Sequence, residues 1–234
     1  MMSDLLYDYY LFDLDNCLLH IPHPREYFDK ILRESLEELT INNSKPNRKE
    51  RDLFWTSGEK YLDLLDKWGT KDSANFWKIF DEIDFKHRKN LLRNGEIYLY
   101  DDVITVLNQI KNLNKKMGLI SNTADYIVNF FLEKFKLSCY FQETLGLDNK
   151  KDQSMAKPSP NGILHILKSL KYNPKHSKAI MIGDSHVDIF AAKRAKITAC
   201  LLKRDENKYL NKEDWESLPD YEIRTLNELL KISK

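Results

Sequence analysis

The feature that most constrains the fold is an apolar run near the start of the chain that ends in two carboxylates. Residues Tyr9 to Asp13 read YYLFD without polar alternation, and Asp15 follows in the stretch YYLFDLDNCLLH. A run without alternation predicts a strand buried on both faces, which is typical of the centre of a parallel sheet. An unpaired buried carboxylate is costly, so this pair of aspartates either caps a turn or takes part in chemistry.

Strand and helix patterns alternate along the second half of the chain. The predicted strands are KMGLIS, KAIMIGD and ITACLL, and the predicted helices are DDVITVLNQIKNL, TADYIVNFFLEKF, SPNGILHILKSLK, VDIFAAKRAK and TLNELLKI. This alternation predicts an α/β fold with a parallel sheet.

The stretch from Pro24 to Asn94 has a different, all-helical character. Its aromatic side chains fall largely at helical spacing, and amphipathic patterns cover Glu26–Leu39, Arg51–Trp68 and Ser73–Leu92. We therefore predict a helical subdomain over residues 21–94, inserted into a core made of residues 1–20 and 95–234.

Composition argues against several classes of protein. With 37 basic and 36 acidic residues the net charge is +1, so no global field favours nucleic acid or anionic lipid. No apolar run is long enough to span a membrane, and the start MMSDLLYDYY lacks the layout of a signal peptide. Cys17, Cys139 and Cys200 are too widely spaced for a disulfide framework. We expect a reduced, cytoplasmic protein without a nucleic-acid or membrane partner.

Polar side chains follow the predicted strands. Because the carboxyl ends of parallel strands meet at one edge of a sheet, near its topological switch point, we expect these groups to share one site. The candidates that follow strands are Asp13, Asp15, Ser121, Asn122 and Asp184. Asp188 comes four residues after Asp184, and Lys157 lies just before a predicted helix.

These residue types suit a phosphorylated ligand. Asp13 could attack phosphorus, but a phosphate dianion repels a carboxylate unless a hard cation such as Mg²⁺ lies between them, and Asp184 supplies a second oxygen ligand for it. Lys157 is a cation for developing phosphoryl charge, and Ser121 offers a hydroxyl donor. Asp15 could protonate the leaving oxygen and later accept a proton from water.

Four stretches resemble, in order and spacing, the four motifs of the haloacid dehalogenase-like (HAD) hydrolase superfamily. They are FDLDNCL, LISN, AKPSP and MIGDSHVDI, and the helical insert resembles the all-α cap of that family. The resemblance implies a Rossmann-like parallel core with helices on both faces, an inserted all-helical cap, and Mg²⁺ as cofactor.

The resemblance also implies roles for the candidate residues. Asp13 would form an aspartyl-phosphate, and Asp15 would be the acid and base. Mg²⁺ would be held by Asp13, by the backbone carbonyl of Asp15 and by Asp184. Asp188 would belong to the acidic shell around the metal. The phosphate-binding residues would be Ser121, Asn122 and Lys157.

The motifs favour a Mg²⁺-dependent phosphatase of a small phosphorylated metabolite. Family dehalogenases usually have a different residue where Asp15 stands, which disfavours a 2-haloacid dehalogenase. A phosphosugar mutase shares all four motifs, and a non-catalytic regulatory member would be expected to lack a motif carboxylate, but none is missing. The substrate (phosphoglycolate, a sugar phosphate or a nucleotide) stays open, as does a homodimeric state.

The first motif departs from the family pattern at two positions. Asn16 and Cys17 stand where Gly and Thr are common. Asn tolerates a left-handed backbone, so we expect the turn to be kept. The Cys17 thiol is a weaker donor than a hydroxyl.

Overall fold

A parallel sheet of six strands organises most of the chain. The computed structural model describes residues 5–40, 45–55, 57, 60–147, 153–204 and 215–232. In chain order the eight strands described are β1 (Tyr9–Phe12), β2 (Leu19–His20), β3 (Tyr98–Leu99), β4 (Lys116–Ala124), β5 (Glu143–Leu147), β6 (Ala179–Gly183), β7 (Thr198–Leu202) and β8 (Tyr221–Ile223). Two of them, β2 and β3, form a separate antiparallel pair.

The helices alternate with the strands from β3 to β7, and four described helices follow one another before β3. They are α1 (Pro24–Leu39), α2 (Arg48–Phe54), α3 (Tyr61–Lys67), α4 (Phe76–Arg93), α5 (Val103–Asn112), α6 (Asp125–Lys134), α7 (Asn161–Ser169), α8 (His186–Arg194) and α9 (Leu226–Leu229), with 3₁₀ turns at Ser73–Asn75 and Gln153–Met155. Among the residues described, none of these helices combines the length and apolar character needed to cross a membrane.

The strand order identifies the switch point of the sheet. The order is β5-β4-β1-β6-β7-β8, and every neighbouring pair is parallel. The chain moves outward from β1 through β4 to β5 and then returns to β6 on the other side of β1, as in a doubly wound fold. The predicted α/β, Rossmann-like class is confirmed, and the crevice lies where β1 and β6 end.

Strand β1 is buried on both faces, as its unbroken apolar pattern predicts. Leu11 is fully buried in a cluster that includes Ile163 of α7 and Ile189 of α8. Tyr10 and Phe12 point to the opposite face because successive side chains of a strand alternate, and they are also buried.

The second unit covers Ile21–Ile97 and contains α1 to α4. The prediction of one helix over Arg51–Trp68 is wrong, since α2 ends at Phe54 and α3 begins at Tyr61. The Phe54 carbonyl accepts hydrogen bonds from the Ser57 amide at 3.3 Å and the Ser57 hydroxyl at 2.7 Å. A serine that bonds locally to the backbone in this way competes with continued helix.

Aromatic rings form much of the interior of this helical unit. The Phe54 ring lies with its centroid 5.2 Å from that of Phe76 and 5.9 Å from that of Trp68, and all three side chains are buried. Contacts of this kind stabilise a core through buried area and edge-to-face packing. The aromatic content of the insert is therefore explained by packing.

Asp81 of α4 gives a testable consequence of burial in this unit. Burial, and then the neighbouring Asp84 carboxylate, raise the pKa of Asp81 from 3.8 to about 8, against the opposing effect of Arg88. Between these two pKa values Asp81 is ionised in the unfolded chain and protonated in the folded chain. The free energy of unfolding therefore falls as pH rises. Asp81→Asn should stabilise the unit by about 1–3 kcal/mol at pH 8, with little effect at pH 4.

The measurement is chemical unfolding followed by tryptophan fluorescence at several pH values. Three of the four tryptophans lie within Ile21–Ile97, so the signal reports mainly on this unit. The exposed Glu38 of the same unit supplies the control, because it is not among the groups that shift Asp81 and Glu38→Gln should leave the pH dependence unchanged. A stability gain in Asp81→Asn that is the same at pH 4 and pH 8 would contradict the account.

Candidate active site

Two aspartates stand at the switch point of the sheet. Asp13 follows β1, and its backbone amide donates to the Ile182 carbonyl of β6 at 2.9 Å. Asp184 follows β6 directly, and both side chains are buried. The adjacent parallel strands β1 and β6 therefore deliver a carboxylate each to the same crevice.

Lys157 neutralises part of this negative charge. Its ammonium donates to Asp13 Oδ1 at 2.5 Å, to Asp188 Oδ1 at 2.6 Å and to the Ile120 carbonyl at 2.9 Å. These three acceptors match the three donors of an ammonium group. Burial alone lowers the pKa of Lys157, but Asp13 and Asp188 more than offset this, so its pKa is raised and the charge is kept.

The backbone of Lys157 is held by Asn122 at the end of β4. The Asn122 amide group donates to the Lys157 carbonyl at 2.7 Å and accepts from the Lys157 amide at 2.8 Å. The sequence placed Asn122 among the phosphate-binding residues. In the structure its side chain fixes the segment that carries the lysine.

Asp188 is fixed at the start of α8. Its Oδ2 accepts from the Ser185 amide at 3.1 Å and from the Ser185 hydroxyl at 2.6 Å, and its other oxygen faces Lys157. Gly183 makes room for this arrangement, because a Cβ at that position would lie 2.2 Å from Asp188 Cγ. The glycine that ends β6 is therefore required by the close approach of a carboxylate.

Three carboxylates converge into a group suited to a divalent cation. Asp13, Asp184 and Asp188 each present one oxygen, and these oxygens lie within 4.8 Å of one another. Burial raises the pKa of Asp13 well above its ordinary value, and Asp188 and Asp184 add to that effect. With one ammonium facing them, the ionised carboxylates carry excess negative charge, and all-oxygen donors are the set that Mg²⁺ prefers. The residues thus fit the cation implied by the sequence, with Asp188 inside the group.

Asp15 is held separately, by the end of β4. The Thr123 hydroxyl donates to Asp15 Oδ2 at 2.9 Å, and the Thr123 amide donates to Ser121 Oγ at 3.1 Å. Ser121 is buried. Strand β4 continues to Ala124 with a register shift after Ile120. The predicted strand KMGLIS, which ends at Ser121, is therefore three residues too short.

The turn after Asp13 keeps its shape despite the unusual residues. Asn16 has φ of 56°, the left-handed conformation that was expected of it. Cys17 is fully buried, and its thiol lies 3.6 Å from the Ile182 carbonyl. Burial raises the pKa of the Cys17 thiol well above its ordinary value, with Asp13 adding to the shift.

Three groups that hold the site were absent from the sequence-based candidates. The Ile120 carbonyl contacts Lys157, Thr123 contacts Asp15, and Ser185 contacts Asp188. Only Ser185 had a sequence signal, because a serine three residues before an acidic residue is typical of a capping box at a helix start. The other two depend on the irregular end of β4.

A family model matches most of the chain. The family model for haloacid dehalogenase-like hydrolases matches residues 10–202. The chain belongs to this family.

Individual relatives agree over almost the whole length. The chain is 28% identical to phosphoglycolate phosphatase of Aquifex aeolicus over 224 residues, which covers 95% of this chain and 94% of that protein. It is 24% identical to pyrophosphatase PpaX of Oceanobacillus iheyensis over 225 residues, with the same coverage of 95% and 94%. The crystal structure of a HAD phosphatase from Thermococcus onnurineus has a TM-score of 0.61 and 26% identity, over 96% of this chain and 97% of that one.

Proposed function

We propose that this HAD-type phosphatase hydrolyses a small phosphorylated metabolite through an aspartyl-phosphate on Asp13, with Mg²⁺ as cofactor. The proposal is supported above all by the convergence of the Asp13, Asp184 and Asp188 carboxylates at the switch point of the sheet, where Asp13 and Asp188 also bind the Lys157 ammonium. A nucleophile, a set of oxygen ligands and a fixed cation are the parts that phosphoryl transfer requires.

In the first step an Asp13 oxygen attacks phosphorus, and the bond from phosphorus to the leaving oxygen breaks. Asp15 gives its proton to that oxygen, so the product leaves as an alcohol. Lys157 holds Asp13 in position through its 2.5 Å contact and carries charge toward the phosphoryl oxygens. The Ser121 hydroxyl is a further donor at the end of β4.

In the second step water attacks the phosphorus of the aspartyl-phosphate. Asp15, now a carboxylate, accepts the proton from that water. The bond from phosphorus to Asp13 breaks, inorganic phosphate leaves, and Asp13 returns to its starting state. One residue thus acts as acid and then as base.

The cation would be held by Asp13 and Asp184, with Asp188 beside them and the Asp15 backbone carbonyl as a further ligand. Bound Mg²⁺ would supply positive charge that offsets the repulsion between the Asp13 carboxylate and a phosphate dianion. The chain's own contribution is to hold three buried carboxylates within 4.8 Å of one another.

The proposal is tested by phosphate release from a panel of phosphorylated metabolites with and without Mg²⁺. The panel includes phosphoglycolate and pyrophosphate, the substrates named by the relatives, together with sugar phosphates and nucleoside monophosphates. We expect release to require Mg²⁺. In Asp184→Asn the Mg²⁺ concentration that gives half-maximal activity should rise by at least roughly 10- to 100-fold. Loss of a group that only hydrogen-bonds to a metal ligand already costs that much.

The control for this variant is Asp101→Asn, which changes an exposed carboxylate of the same unit. Its requirement for Mg²⁺ should equal that of the unmodified protein. Full activity of Asp184→Asn at low Mg²⁺, or hydrolysis that proceeds equally with a chelator present, would contradict the proposal.

A further inference from the structure

We propose that Thr123 is a positioning residue for Asp15, which rests on the proposed role of Asp15 in proton transfer. The Thr123 hydroxyl donates to Asp15 Oδ2 at 2.9 Å across 108 residues of sequence. None of the four family-like motif stretches includes Thr123. The contact depends on the backbone conformation at the end of β4.

The geometry of β4 brings this hydroxyl to Asp15. The register of β4 against β5 shifts between Ile120 and Ala124. Within that irregular segment the Thr123 amide bonds to Ser121 Oγ at 3.1 Å while its side chain reaches Asp15. Thr123 therefore couples the acid and base residue to the serine proposed to bind phosphate.

Threonine is suited to this task because its side chain is stiff. Two heavy atoms on Cβ restrict its rotation about χ1, so the hydroxyl has few alternative directions. Asp15 lies in a turn beyond the sheet strand β1, and the bridge at Asp15 pairs it with Leu19 at the far end of that turn. The contact with β4 ties the carboxylate to the sheet, and general acid catalysis depends on such fixed placement.

The test compares substrates whose leaving groups differ in basicity. An alkyl phosphate needs a proton donor in the first step, whereas p-nitrophenyl phosphate needs little help. Thr123→Val removes the hydroxyl with little change in shape and should lower kcat/KM for the best alkyl phosphate of the panel by about 10- to 100-fold, up to the loss that displacement of a reacting group by about 1 Å causes. It should change kcat/KM for p-nitrophenyl phosphate by less than about threefold.

Two further variants separate positioning from packing. Thr123→Ser restores the hydroxyl and should recover most of the activity on alkyl phosphate. Thr123→Ala serves the same purpose as the valine variant if valine prevents folding. Thr144→Val, at a threonine of the neighbouring strand β5, is the matched control and should behave like the unmodified protein.

A double-mutant cycle gives the decisive result. Thr123→Val added to Asp15→Asn should cause no further loss on the alkyl phosphate, because the residue it positions has already lost its function. Unchanged activity in Thr123→Val, or equal losses on both substrates, would overturn the role of Thr123. The proposed phosphatase function would still stand if activity depends on Asp13. Activity that survives Asp13→Asn would overturn both.

Discussion

Asp13→Asn should abolish turnover of every phosphate ester that the enzyme accepts. The amide cannot attack phosphorus, and one of the clustered carboxylate ligands is lost in the same change. Removal of the nucleophile from other covalent enzymes costs about 10⁶-fold, so we expect a loss of at least about 10⁴-fold in kcat. Phosphate release under saturating substrate and Mg²⁺ measures it.

The fold should survive this substitution. Asn is close to Asp in shape, and Lys157 keeps its contacts with Asp188 and the Ile120 carbonyl. Circular dichroism of Asp13→Asn should therefore match the unmodified protein, and Asp101→Asn should retain activity as the control for a lost surface charge. Residual activity of Asp13→Asn above about one hundredth of the unmodified rate would exclude Asp13 as the nucleophile.

Asp15→Asn should affect the two chemical steps differently. Transfer of the phosphoryl group to Asp13 can persist with a good leaving group, whereas hydrolysis of the aspartyl-phosphate should stall. General acid help contributes about 10²–10⁴-fold and matters most for basic leaving oxygens, so cleavage of alkyl phosphates should fall by that amount. An aryl phosphate should still release a burst of its alcohol. Water attack should be slow without the base, so phosphorylated enzyme should accumulate.

Rapid-quench kinetics with p-nitrophenyl phosphate and an alkyl phosphate distinguish these steps. In the Asp15→Asn variant the side-chain amide oxygen can still accept a hydrogen bond from Thr123, so the change is confined to proton transfer. Equal loss of the first step for both substrates, with no burst, would mean that Asp15 has another role.

The central strands of the sheet could be predicted from the sequence because they are buried on both faces. β1 and β6 are apolar throughout and β7 is apolar after Thr198, and each was predicted from this pattern. The strands β5 and β8 escaped prediction. Both are edge strands that pair on one side only, and β8 has three residues. An edge strand needs less apolar sequence, so its pattern is weak.

The site was predictable where its residues end regular strands. Asp13 and Asp184 could be placed near one another from topology alone, since parallel strands deliver their ends to one edge, whereas Lys157 was a candidate that lies just before a helix. The hydrogen bonds between the site residues could not be predicted from the sequence. The bonds from Asn122 to the backbone of Lys157 and from Thr123 to Asp15 depend on the register shift in β4, for which the run MGLISNTA gives no signal.

The most direct test of the covalent mechanism is the mass of the peptide that contains Asp13. Asp15→Asn enzyme is mixed with substrate and Mg²⁺, quenched in acid, digested and examined by mass spectrometry. We expect this peptide to gain one phosphoryl group that hydroxylamine removes. The Asp13→Asn/Asp15→Asn double variant should never acquire it. A phosphoryl group on another peptide, or none at all while the enzyme still releases phosphate, would contradict the account.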